Sequence, residues 1–203
     1  MTSDAQLLAR WRAGDPRAGS ELTGRYFDSL YGFFRNKVTE GIDDLLQETM
    51  LACVESGERF EGRSSFRTYL FAIARNVLFA HFRSSHRHGV LDFEHSTIED
   101  LATSPSEHVV RHQQARLLAH ALRRIPVDYQ IALELYYWEQ MTGDEIAEVL
   151  GVPPATVRTR LRRGRQQLER QLERLAAGET VARSTVDQIG ELARVLRSEL
   201  AGD

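Results

Sequence analysis

The sequence predicts an all-α protein of two helical domains joined by an acidic linker. Three observations carry that reading. Apolar residues recur at helical spacing through most of the chain without competing strand alternation. One internal stretch, Gly89 to Ser106, loses that period and is rich in Ser, Thr and acids. Residues Met141 to Arg165, MTGDEIAEVLGVPPATVRTRLRRGR, have the grammar of a helix-turn-helix. The domains are expected at residues 1–88 and 112–177, with the linker at 89–111 and a helical extension at 178–203. A chain of 203 residues that is 42% hydrophobic can furnish two small cores.

In chain order, Leu7, Leu8 and Trp11 mark a first helix, and Leu22, Tyr26, Leu30, Phe33 and Phe34 a longer second one. Leu45, Leu46, Met50 and Val54 mark a third, and Tyr69, Leu70, Ile73, Val77 and Leu78 a fourth. Beyond the linker, Leu117, Leu118, Ala121, Leu122 and Ile125 end at Pro126, and Ile131, Leu133, Leu135 and Tyr136 follow. Thr142 and Glu145 then stand in capping-box relation ahead of Ile146, Ala147, Val149 and Leu150, so a short helix starts near Gly143. Gly151 suits the left-handed residue that ends it, and Pro154 suits the first position of the next helix. There Val157, Leu161 and Leu168 share one face, which leaves Arg158, Thr159, Arg162, Arg163 and Arg165 outward.

Charge is sorted in blocks that the overall −3 conceals. From Glu40 to Glu61 seven acids face Arg59 alone, from Arg63 to His88 five arginines face no acid, and from Gly89 to Glu107 five acids face no Lys or Arg. From Pro153 to Arg174 seven arginines face two glutamates, an excess that attracts phosphate. Two basic modules for nucleic acid, separated by acidic surfaces, are the consequence. The segment Phe60 to Arg83 interleaves aromatics with arginines, as binding of unpaired bases requires, although aromatics at helical spacing are first of all core.

Other classes find less support. No run of about 18 apolar residues offers a membrane span, and the charged N-terminus is unlike a signal peptide, so a cytoplasmic protein without membrane insertion is expected. Cys53 has no disulfide or metal partner and reads as a small buried residue. His86, His88, His108 and His112 lack the Cys or carboxylate company of a metal site, and no nucleophile–base pair or phosphate loop is apparent. Neither cofactor nor catalysis is expected. In the tail, Ser184 to Asp187 resembles a capping box before a stripe of Val186, Ile189, Leu192, Ala193, Leu196 and Leu200. That stripe is expected to pack on the second domain, with docking between domains or onto a regulator as the alternatives.

Three motifs in order give the chain a resemblance to the sigma-70 family of transcription initiation factors, in its small extracytoplasmic-function group. Asp43 to Glu48, DDLLQE, resembles the family's E-D-L-V-Q-E helix, and Phe66 to Asn76, FRTYLFAIARN, its F-x-x-W-L-x-x-I-A-x-N segment. Glu145 to Arg165 resembles its E-I-A…G-T-V-R-S-R-L-x-R-A-R reader. The resemblance covers roughly residues 5–88 and 112–173. It implies that Asp43, Asp44, Gln47 and Glu48 dock bacterial core RNA polymerase, and their i, i+4 spacing does suit a basic partner.

The resemblance further implies that Phe60, Gly62, Arg63 and Ser64 capture a flipped base of the minus-10 promoter element. Asn76 would contact a base behind that loop, and Arg75 and Arg83 would hold phosphates. Pro154, Thr156, Arg158, Thr159, Arg162 and Arg163 would address the duplex minus-35 element. An anti-sigma protein becomes a conceivable further partner. Departures from the pattern are Tyr69 for tryptophan, Ala155 for glycine, Thr159 for serine, Gly164 for alanine and Pro153 at a position where serine is commoner. They put any guess at promoter sequence in doubt. A stand-alone helix-turn-helix regulator, needing neither Asp44 nor Asn76, is the alternative.

Overall fold

The computed structural model describes residues 2–55, 64–87, 107–175 and 188–192, and these contain helices and no strand. Four helices form the first half: α1 (Asp4–Arg12), α2 (Pro16–Arg35), α3 (Ile42–Glu55) and α4 (Phe66–Arg87). Four more form the second: α5 (Glu107–Leu122), α6 (Val127–Tyr137), α7 (Gly143–Leu150) and α8 (Pro154–Leu175).

Local chemistry sets the helix starts. The Ser3 hydroxyl accepts from the Gln6 N–H while the Gln6 side chain accepts from Ser3, closing a capping box on α1. Asp15 caps α2 by accepting from the N–H groups of Arg17 and Ala18, with Pro16 at a first position where no N–H is needed. At α4 the Ser65 hydroxyl accepts from the Thr68 N–H at 3.1 Å, a cap the sequence reading overlooked. Asp43 and Asp44 sit in the first turn of α3, where the positive end of the helix dipole favours carboxylates.

The first half closes around Leu7, Leu22, Leu30, Phe34, Leu70, Phe71 and Leu78, all essentially inaccessible to solvent. Phe33 meets Phe34 and Phe71 edge-on with ring centroids 5.3 and 5.6 Å apart, which ties α2 to α4. This apolar cluster does not end at the domain boundary. It runs on into Ile131, Leu135, Met141, Ile146 and Val157 of the second half, where α7 lies against α4. A second cluster joins Leu118 and Leu122 of α5, Leu133 of α6 and Leu168 and Leu172 of α8. Ile189 and Leu192 of the C-terminal extension complete it, each 1% exposed. Val186, Ala193, Leu196 and Leu200 of that stripe, and its capping box at 184–187, lie outside the described residues.

Candidate nucleic-acid interface

Two tight junctions aim the arginine-rich helix. The Thr142 hydroxyl accepts from the Glu145 N–H, and the Glu145 carboxylate accepts from the Thr142 N–H at 2.8 Å, which fixes the start of α7. Gly151 ends α7 with φ 63° and ψ 38°, the left-handed region that other side chains resist. Its N–H bonds back into α7, and α8 starts three residues later at Pro154. Val157 and Leu168 of α8 are then fully buried and Leu161 partly so. Arg158, Thr159, Arg162, Arg163 and Arg165 are exposed, as are Pro153 and Pro154. Thr156 is half-buried at the edge of that surface, and the Thr159 hydroxyl donates back to the Ala155 carbonyl at 3.1 Å. Arg160 turns away from the others and pairs with Asp128 of α6 at 3.3 Å. The outcome is a convex, cationic strip on a firmly packed helix, the shape that enters a major groove.

On α3, Asp43, Asp44, Gln47 and Glu48 are all exposed, while Leu45, Leu46 and Thr49 of the same turns are buried. Leu51, one turn further on, stays 56% exposed and extends the acidic face with an apolar side chain. The sequence reading missed this residue, because helical spacing alone does not say which leucines lack a neighbour.

On α4 the aromatics divide. Phe66 and Phe71 are core, whereas Tyr69, Phe79 and Phe82 are half-buried. Asn76 and Arg83 are exposed, and Ser64 is half-buried ahead of the helix. Arg75 is not a free phosphate clamp in this state: its guanidinium lies 4.8 Å from the centre of the Phe79 ring and donates to the Asn76 Oδ1 at 3.1 Å. Phe60, Gly62 and Arg63 lie outside the described residues.

Two family models match this chain: sigma-70 region 2 over residues 22–88 and sigma-70 region 4 over residues 115–168. The sigma factor HrpL of Pseudomonas syringae is 30% identical over 77% of this chain and 88% of its own length. The ECF sigma factor SigX of Bacillus subtilis is also 30% identical, over 76% of this chain and 83% of its own.

The chain belongs to the sigma-70 family, in its extracytoplasmic-function group.

The ECF sigma-E factor of Haemophilus influenzae is similar over 85% of this chain and 97% of its own length, at 29% identity. Two solved structures share the fold. CnrH, in complex with the cytosolic domain of CnrY, gives a TM-score of 0.64 at 24% identity over 86% of this chain and all of that one. RpoE from Bartonella quintana, in complex with the anti-sigma factor NepR, gives 0.61 at 20% identity over 76% of this chain and 96% of its own. As a sigma factor, the protein serves promoter-specific initiation of transcription with RNA polymerase. Among the described residues, no cluster of His, Cys, Asp and Glu could hold a metal, and no helix is long and apolar enough to cross a membrane.

The sigma factor also has a polar group that the sequence reading missed altogether, at the seam between its halves. Lys37, just after α2, is 4% exposed and Glu134, inside α6, also 4%, and the two form a buried ion pair. The Lys37 ammonium further donates to the Phe33 carbonyl at 2.6 Å and sits 3.9 Å from the centre of the Phe33 ring. Asn36 donates to Glu134 at 3.3 Å, and Gln130 donates to both the Asn36 carbonyl at 3.0 Å and Glu134 at 3.2 Å. Burial pushes the Lys37 pKa down, and only the Glu134 carboxylate pulls it back. A signal was available: in VDYQIALELYY a lone glutamate stands in an apolar run four residues after a glutamine.

Proposed function

We propose that this sigma factor opens promoters by capturing unpaired bases. Region 2 takes non-template bases of the minus-10 element through the segment from Phe60 to Asn76, and region 4 places the complex by reading the duplex minus-35 element through α8. Asp43, Asp44, Gln47 and Glu48 dock the core polymerase. The carrying observation is that one chain exposes an acidic face on α3, Asn76 with Arg83 on α4, and an arginine strip on α8, in the order of the family's motifs. No covalent step is needed. Unstacking costs a few kcal/mol per base, and binding of the flipped base offsets it, so the open strand is selected. Arginine on α8 supplies placement, with about 1–3 kcal/mol of discrimination for each good bidentate contact.

Reconstituted transcription tests the reading, with purified chain and bacterial core polymerase on a genomic promoter library. Promoter-specific starts above core alone are expected, together with permanganate-reactive thymines at the minus-10 element. Specific starts that Asn76→Ala leaves equally open would sink the base-capture assignment. Tight duplex binding without polymerase, and no specific starts, would favour a stand-alone regulator.

A further inference from the structure

The described part of the C-terminal extension seats in the core of the second half. Residues 188–192 form a helical turn, in which the Glu191 and Leu192 N–H groups both donate to the Gln188 carbonyl at 2.9 Å. That turn puts Ile189 and Leu192 on one face, and each is 1% exposed. Gln188 and Glu191 face water instead. The cluster that takes the two apolar side chains contains Leu118 and Leu122 of α5, Trp138 just after α6, and Leu168 and Leu172 of α8. The match to sigma-70 region 4 ends at residue 168. Leu172, Ile189 and Leu192 thus close the cluster from beyond the family pattern, with residues particular to this chain.

The place of that cluster matters, because α8 is gripped at two points. Near its start Val157 is buried with Ile146 and Leu150 of α7, and further along Leu168 and Leu172 are buried in the second cluster. Arg158, Arg162, Arg163 and Arg165 stand exposed between the two. A rod held at one end pivots. Arg165 lies about 12 Å along the axis from Val157, so a tilt of roughly 5° displaces it by about 1 Å. Recognition geometry tolerates only about half that displacement. The extension also approaches the strip through Tyr137, since a Cβ on Gly190 would lie 3.8 Å from the Tyr137 Cδ1, ordinary contact. Burial pushes the pKa of that phenol up and Arg165 opposes the rise, which places the last arginine of the strip close to the ring that the extension touches.

We propose that residues 188–192 brace the distal half of α8, and that Ile189 and Leu192 are positioning residues for recognition of the duplex minus-35 element. The brace is packing within the free chain and needs no DNA. Its consequence for recognition rests on the assignment of α8 as the duplex reader given above.

Two measurements separate these parts. In a Trp11→Phe background Trp138, 9% exposed, is the sole tryptophan, and its quenching by acrylamide reports whether the extension is seated. Leu192→Ala is expected to raise that quenching, and Leu192→Met, which nearly keeps the volume, to leave it near the parent value. The second measurement is transcription by the reconstituted holoenzyme, at a temperature where circular dichroism shows each variant folded. Promoters that the parent holoenzyme selects from a genomic library are compared with the same promoters after their minus-35 element is scrambled. Leu192→Ala is expected to lower the ratio of initiation on intact over scrambled promoters about tenfold, the loss of roughly one bidentate contact, and Leu192→Met to recover most of it. Ile189→Val removes a single methyl, covers the case in which Leu192→Ala fails to fold, and lowers the ratio about twofold.

Loss of initiation on both promoter forms alike would mean that the extension only stabilises the fold, and would overturn the positioning role. An unchanged ratio while Trp138 becomes exposed would overturn it equally. Quenching that Leu192→Ala leaves unchanged would overturn the brace itself. A parent holoenzyme indifferent to the minus-35 element would instead sink the reader assignment, and the positioning role with it, while the quenching result still decided the brace.

Discussion

Helices α6 and α8 belong to the same domain and bury side chains in the same cluster, yet they are built oppositely. α8 is one-sided: Val157, Leu168 and Leu172 face inward, and its arginines, Arg160 excepted, face water. α6 has hardly any outer face, since the run Gln130 to Leu135 is buried without a break. A one-sided helix can spend its free face on a ligand. One buried all round can carry polar groups only if other parts of the fold supply their partners, and Asn36 and Lys37 do so for Gln130 and Glu134. On the proposed function, the two helices divide the domain's work between contact with DNA and contact with the rest of the chain.

The sharpest way to break this contrast is to truncate the shared core. Leu133 of α6 and Leu168 of α8 are both fully buried in one cluster, so alanine at either should cost about 2–5 kcal/mol in urea unfolding. If Leu168→Ala cost under about 1 kcal/mol, α8 would be a loosely held helix and not a rigid reader. On the opposite face the expectation inverts. Arg158→Ala should leave unfolding within about 0.5 kcal/mol of the parent, and it should weaken minus-35 duplex binding by about 1–3 kcal/mol. Polymerase docking, read by pull-down with core enzyme, should be unchanged. Equal losses of docking and promoter binding would erase the division between surfaces.

The same contrast explains what could be read from the chain. Patterns complete within one helix were legible: the α7 capping box, the Gly151 stop, Pro154 at a helix start, and the outward set Arg158, Thr159, Arg162 and Arg163. Each depends on residues a few positions apart, whose mutual geometry the helix period dictates. The Lys37–Glu134 pair spans 97 positions, and no local period relates the two. Arg75 shows the intermediate case, because its place on α4 was readable whereas its lean onto Phe79 and Asn76 was not.

The reader's support makes a smaller prediction that depends on pH. Thr142→Ala removes the cap of α7 and should cost about 1 kcal/mol. Its reciprocal partner Glu145 has a pKa held below the usual 4.5, first by the Thr142 N–H and further by Arg67. A carboxylate depressed in the folded state stabilises above its ordinary pKa, and that contribution is lost as pH falls through the folded value. The gap in unfolding midpoint between the parent and Glu145→Gln should therefore be full at pH 7 and close as pH drops below about 4.5. A gap that stayed constant down to pH 3 would mean that the charge of Glu145 does not matter and only its shape does.

The smallest effect is expected where α6 and α8 touch. Gly164 is buried in the middle of α8, at a position where the family pattern has alanine. A Cβ there would lie 3.2 Å from the Leu133 Cδ1 and 3.2 Å from the Tyr129 Cβ, tighter than ordinary contact. Two effects then oppose one another. Alanine in place of glycine favours an interior helical position by roughly 0.5–1 kcal/mol, whereas an extra methyl in a filled core costs typically about 1–3 kcal/mol. Leu133 can yield slightly by turning its side chain, but the Tyr129 Cβ is fixed to the α6 backbone and moves only with the helix. The strain should be near its lower bound, because the gap falls only a few tenths of an ångström short. Gly164→Ala is accordingly expected to change stability by under about 1 kcal/mol, on the destabilising side, while Gly164→Val costs several times more. A clear gain in unfolding midpoint for Gly164→Ala would show that the two helices are packed less closely than this contact requires. The glycine would then be a dispensable departure, and not what lets α6 and α8 approach.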